Sequence, residues 1–149
     1  MKGTLYIVAT PIGNLEDITV RAMRILKEVD GIAAEDTRHT KRLTNHLDVH
    51  KPMISLHMHN EREKIEFLRD KLQQGENWAL VSDAGTPGIC DPGAPVIAAL
   101  RDQGFSIVPI PGPSALITAM SASGLTDSRF LFEGFLPPRG TDRKKGWMR

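Results

Sequence analysis

The 149-residue chain has a single cysteine, Cys90, so it forms no internal disulfide and suits a reducing compartment. Aromatic residues are scarce at 5%, against 40% apolar residues overall, so aliphatic packing must dominate the core. No apolar run approaches the roughly 20 residues that span a bilayer. Met1-Lys2-Gly3-Thr4 leads at once into an apolar run, so no signal peptide is expected. Both glycine-rich phosphate signatures, G-x-G-x-x-G and G-x-x-x-x-G-K-[ST], are missing. His57 and His59 share a strand face, but no Cys/His/carboxylate set with zinc spacing accompanies them, and no metal is expected. What remains is a soluble, cytoplasmic protein of ordinary domain size with no membrane contact.

Neither sign of charge dominates, with 19 basic and 18 acidic residues and a net charge of +1, but the distribution is uneven. Residues 77–128 carry one basic and four acidic groups, whereas residues 129–149 carry six and two. A basic tail beside a near-neutral body reads either as a polyanion contact or as a solvated end.

Strand and helix signals alternate, which indicates βαβ units and a parallel sheet flanked by helices. Strands are expected at Leu5–Ala9, Gly31–Ala34, Met53–His57, Trp78–Ser82 and Phe105–Ile110. Between the first two, Ile18, Ala22, Ile25, Leu26 and Val29 form a helical stripe that Asp17 or Thr19 can cap. A polar helix is expected from about Arg38 to His46. Asn60 with Glu63 resembles a capping box opening a helix that stops near Gly75. Pro95 suits the first turn of a helix reaching about Asp102, and Ser114 opens a small-residue helix ended by Gly124. A sixth strand, Arg129–Leu136, holds three of the five phenylalanines. The expected division is an α/β domain over 1–125, then a linker and the first strand of a second domain over 126–149.

The punctuation of three strand ends is the main functional signal. Leu5–Ala9 runs into Thr10-Pro11-Ile12-Gly13-Asn14, and Phe105–Ile110 into Pro111-Gly112-Pro113-Ser114-Ala115. Trp78–Val81 runs into Ser82-Asp83-Ala84-Gly85-Thr86-Pro87-Gly88, where no large side chain follows Asp83 until Ile89. Glycine lets a ligand approach the backbone and proline stiffens the loop. If the strands are parallel, these loops share one sheet edge, where open α/β sheets bind ligands.

Together with Ala34-Glu35-Asp36-Thr37-Arg38, these segments occur in an order and spacing that closely resembles the ribosomal RNA small-subunit methyltransferase I family. That family lies within the tetrapyrrole methylase superfamily, and the resemblance covers residues 1–145. It implies a five-stranded parallel sheet of the superfamily's N-terminal-domain type, with the second α/β domain largely absent from this chain. It also implies S-adenosylmethionine as methyl donor, 2′-O-methylation of a cytidine ribose in small-subunit (16S) rRNA, the rRNA or 30S particle as partner, and a homodimer.

The resemblance further implies that Pro11, Ile12 and Gly13 flank the donor. Asp83, Ala84, Gly85 and Thr86 would touch its amino-acid or ribose portion, and Ser114 and Ala115 its adenine side. A bland reading stands beside two of these: Asp83 as a loop-capping carboxylate and Ser114 as a helix N-cap. A ribose hydroxyl is a poor nucleophile, so a base or a pKa-lowering cation would help. Asp36 and Arg38 are the candidates, although an N-cap with a helix-start ion pair would look the same. Arg38, Lys41, Arg42, Arg139, Arg143, Lys144 and Lys145 are candidate phosphate contacts. His39, His46 and His50 carry no signal. Alternatives are a tetrapyrrole-type small-molecule methylase, or a non-catalytic cofactor- or RNA-binding fragment.

Overall fold

In the computed structural model, which describes residues 1–127 and 129–137, the first compact unit runs from Met1 to Ala115 and the second begins at Leu116. That division falls before the 125/126 boundary read from the sequence. In the first unit the chain alternates as expected: β1 (Thr4–Val8), α1 (Val20–Glu28), β2 (Gly31–Ala34), α2 (Thr37–His46), β3 (Met53–Ser55), α3 (Glu61–Gln73), β4 (Trp78–Val81), α4 (Ala94–Asp102) and β5 (Ser106–Ile110). All neighbouring strands pair in parallel, in the order β3-β2-β4-β1-β5. Pro109 sits in β5, at the sheet edge, where a missing N–H costs no ladder bond on the open side.

The central strands are apolar without alternation because helices cover both faces. Leu5, Ile7, Ala33, Trp78 and Leu80 point to one side, where α3 and α4 supply Leu68, Leu72, Val96 and Leu100. Val8, Ile32, Ala34, Ala79 and Val81 point to the other, where α1 supplies Ala22, Ile25 and Leu26. Each fully buried leucine contributes roughly 1.5–3 kcal/mol.

This division of helices locates the site. The connection from β1 leaves through α1 on one face, and the connection from β4 leaves through α4 on the other. Both are crossovers between parallel strands, and the two run in opposite directions along the sheet. The adjacent strands β1 and β4 therefore flank a topological switch point, where a crevice opens outside their carboxyl ends.

Local signals resolve in detail. Thr19, rather than Asp17, caps α1, its Oγ1 accepting the Ala22 N–H at 3.0 Å. Asp36 caps α2, which begins one residue before the expected Arg38. The capping box at α3 does not form. Asn60 Oδ1 accepts the His57 N–H and its Nδ2 donates to the Ser55 carbonyl, so the side chain closes the preceding turn instead. The Glu63 carboxylate pairs with Lys64. That turn also ends β3 at Ser55, short of His57.

All of α5 (Ala115–Ala122) but its first residue falls in the second unit, and the helix has no buried residue. The strand expected over Arg129–Leu136 is absent: none of these residues is in a strand. Apolar content specifies a buried face, but a strand also needs a neighbour to take its backbone hydrogen bonds. Phe130, Leu131 and Phe135 are exposed.

Candidate functional site

The three punctuated loops meet at the carboxyl edge of the sheet, and polar backbone contacts fasten them to one another. Thr10 and Gly85 form an antiparallel bridge with two N–H···O bonds of 3.0 Å, joining the loops after β1 and β4. Gly85 takes φ +80°, in the left-handed region that favours glycine. The buried Thr10 hydroxyl donates to the Ser82 carbonyl at 3.3 Å. Thr86 Oγ1 donates to the Pro113 carbonyl at 3.1 Å and ties in the loop after β5. Gly112 lies against Ala9, where a Cβ would stand 2.9 Å from the alanine methyl.

A cavity of about 430 Å³ opens over this joint. One wall is the loops: Thr10 to Gly13 and Leu15 from β1, and Ser82 to Ala84 from β4. The other wall is the side of α2, with His39, Thr40, Arg42 and Leu43. Behind α2's first turn a second cavity, of about 290 Å³, is lined by Asp36, Arg38, His39 and Arg42. A third, of about 430 Å³, includes Lys41, Asn45, His50 and Lys51.

The two walls of the first cavity differ in charge. On the loop side, Asp83 accepts the Asp36 N–H at 3.1 Å, linking the end of β4 to the end of β2. Glu35 has its carboxyl pushed above the usual range, chiefly by burial and next by the Asp83 charge. Asp91 is raised by burial first, with Asp83 adding and a Ser82 hydrogen bond opposing. The Asp83 carboxylate, which lines the cavity on this side, would favour a cationic ligand. On the α2 side, the Arg38 guanidinium pairs with Asp36 at 3.2 Å and holds that carboxyl below its ordinary value. Lys41 and Arg42 make no ion pair among the described residues.

Of the residues singled out from the sequence, Pro11, Ile12, Gly13, Asp83, Ala84 and Arg42 line the first cavity. Gly85 and Thr86 lie just outside it and hold the loops together. Ser114 and Ala115 do not line it. Asp36 and Arg38 border the second cavity, and Lys41 the third. Arg139, Arg143, Lys144 and Lys145 lie outside the described residues. Sequence reasoning missed His39, Thr40 and Leu43. Their signal was positional: they face the end of β4 because Thr40, Leu43 and Thr44 are the buried side of α2. Among the described residues no group of three or more His, Cys, Asp or Glu side chains is arranged to hold a metal ion.

Residues 4–144 match the family model of the Tetrapyrrole (Corrin/Porphyrin) Methylases. The ribosomal RNA small subunit methyltransferase I of Haemophilus influenzae is 55% identical over 144 residues, which cover 97% of this chain and 51% of that protein. The chain thus spans about half the length of the curated relatives it matches. Among solved structures, a uroporphyrin-III-C-methyltransferase from Thermus thermophilus superposes with a TM-score of 0.64 at 23% identity, covering 84% of this chain and 54% of that one. A Thermus thermophilus uroporphyrin-III C-methyltransferase complexed with S-adenosylhomocysteine gives 0.59 at 19% identity, covering 79% and 48%. At these identities the likeness establishes the sheet and its flanking helices.

Proposed function

The chain belongs to the tetrapyrrole (corrin/porphyrin) methylase family, and from that premise we propose that it carries the donor-binding half of an S-adenosylmethionine-dependent methyltransferase acting on small-subunit rRNA. The reaction is 2′-O-methylation of a cytidine ribose. The observation that carries this reading is the paired geometry at the switch point: a fixed, acidic loop wall facing a cationic helix wall across one cavity. The 55% identity to the Haemophilus influenzae relative supports the same substrate.

The residues present fit such a donor. When bound, S-adenosylmethionine supplies a methyl group already activated on a cationic sulfonium. Asp83 offers a carboxylate to its positive charge, and Pro11 to Gly13 and Ala84 let the backbone come close. Gly85 and Thr86 fix those segments, and Ser114 and Ala115 serve the adenine side. Because the methyl group needs little activation, what this chain contributes is orientation. Asp36 and Arg38 stand beside the acceptor as one pair. Arg38, Lys41 and Arg42, together with Arg139, Arg143, Lys144 and Lys145, hold phosphates. Residues 1–125 form the N-terminal domain and 126–149 lead into a second. The protein is cytoplasmic, works as a homodimer, and meets the rRNA or the 30S particle.

The test is twofold in the full-length polypeptide. Labelled methyl from S-adenosylmethionine should reach small-subunit RNA or particles, and transfer should be lost when the target sugar is 2′-deoxy. Calorimetry should find donor affinity reduced about 10- to 100-fold in Asp83→Ala, the scale of one lost charge-assisted contact. No donor binding by the unmodified protein would remove the methylase reading, and unchanged affinity in the variant would remove Asp83 from it.

A further inference from the structure

We propose that His39 is the group that receives the proton of the acceptor hydroxyl, so that the imidazole marks where the target ribose sits. This rests on the methyltransferase reading above and adds to it a residue that reading leaves without a role.

Four observations lead there. His39 borders both the cavity between the loops and α2 and the smaller cationic cavity behind it. A substrate with its ribose in the first cavity and a phosphate in the second must pass this side chain. Second, its position is fixed at the backbone. The capping Asp36 carboxylate accepts the N–H of Arg38, the residue before His39, at 2.9 Å, and Thr40 after it is buried. Third, the carboxylates lining the two cavities already have partners. Asp36 serves the cap and Arg38, and Asp83 accepts the Asp36 N–H. Glu35 and Asp91 border neither cavity. Fourth, imidazole is the side chain whose charge changes near neutrality, which suits a group that takes and returns a proton each turnover.

The step balances. The hydroxyl oxygen gains a bond to the methyl carbon as its proton passes to the imidazole. The electron pair of the broken carbon–sulfur bond stays on sulfur, which ends neutral. The imidazolium then releases the proton to solvent. The charged groups facing His39 are Asp36, Arg38 and Arg42 from α2 and Asp83 from the loop after β4.

The experiment compares unmodified protein with His39→Asn and His39→Ala, all full length. Single-turnover methyl transfer should fall about 100-fold or more in both, the range for a lost general base. Donor affinity by calorimetry should stay within about threefold. Binding supplies a readout independent of turnover. The unmodified protein should bind RNA carrying the target cytidine as ribonucleotide more tightly than the same RNA with a 2′-deoxy sugar there. His39→Ala should lose that preference. Turnover within about threefold of the unmodified protein in His39→Asn overturns the proposal. So does a loss confined to RNA affinity and its salt dependence, which would make His39 a phosphate contact. Equal binding of ribo and deoxy forms by the unmodified protein also overturns it. Failure of the unmodified protein to methylate small-subunit RNA would instead reject the underlying reading, so the two failures are distinguishable.

Discussion

The loop wall and the α2 wall of the cavity are built by different means. Main-chain bonds between Thr10 and Gly85, and the Thr10 hydroxyl on the Ser82 carbonyl, hold the loop wall, with Gly112 pressed onto Ala9. The α2 wall presents the exposed side chains of His39 and Arg42, on a helix anchored by Thr40, Leu43 and Thr44. A wall made of backbone gives fixed shape at the expense of adaptability. A wall made of long side chains gives charge without fixed shape. The first suits one small donor held the same way every time, and the second suits a flexible polyanion.

The sharpest way to break this contrast is to insert volume into the loop wall. Valine at Gly112 must displace the β5 loop from Ala9, because its Cβ alone would sit 2.9 Å from the alanine methyl and 3.5 Å from its carbonyl oxygen. Such overpacking costs about 1–3 kcal/mol. Lys41→Val, on the exposed side of α2, should stay within about 0.5 kcal/mol. Urea unfolding of both variants measures the difference. Equal losses would mean that the loop wall is no more constrained than the helix.

The contrast also explains what the sequence disclosed. Glycine and proline act on their own backbone, so Thr10–Asn14 and Ser82–Gly88 declare themselves without tertiary context. The central strands β1, β2 and β4 were equally legible, because strands covered on both faces read as continuous apolar runs, whereas the edge strand β3 left a weaker signal. The α2 wall was not. Its buried side consists of Thr40, Leu43 and Thr44, two of which count as polar, so the helix reads as uniformly solvated and its rotation is hidden. His39 was passed over for that reason. The Asn60–Glu63 capping box failed because Asn60 had a nearer partner in the His57 turn. Arg129–Leu136 failed as a strand because its pattern named a face and no neighbour.

An intermediate effect is expected from charge on the loop wall. Glu35 and Asp91 have raised carboxyl pKa values in the fold, from burial and from Asp83. A raised acid favours the folded state while it is protonated. Its contribution is complete below the unfolded values, 4.5 for Glu and 3.8 for Asp, and is lost as pH rises through the folded values. Asp83→Asn keeps an oxygen for the Asp36 N–H and removes the charge. It should raise stability at pH 7 by less than about 1 kcal/mol, with the gain vanishing below pH 4, while weakening the donor. Unfolding at both pH values tests this. A gain of equal size at pH 3.5 would place the effect outside these carboxyls.

The smallest expected effect concerns the helix wall alone. Each cation touching a phosphate of single-stranded RNA adds about 0.7 to the slope of log affinity against log salt. Arg42 borders the cavity itself, whereas Lys41 borders the third concavity with Lys51 and His50. If both lie along one strand, Arg42→Ala and Lys41→Ala should each lower the slope by about 0.7, and the double variant by about twice that. On the proposed reading, Arg42→Ala alone should also slow methyl transfer, because the phosphate it would hold lies next to the target ribose. A slope that falls for Arg42 and not for Lys41 would confine the RNA to the cavity mouth. A slope unchanged in both would take the polyanion off α2 and leave the loop wall facing a neutral substrate.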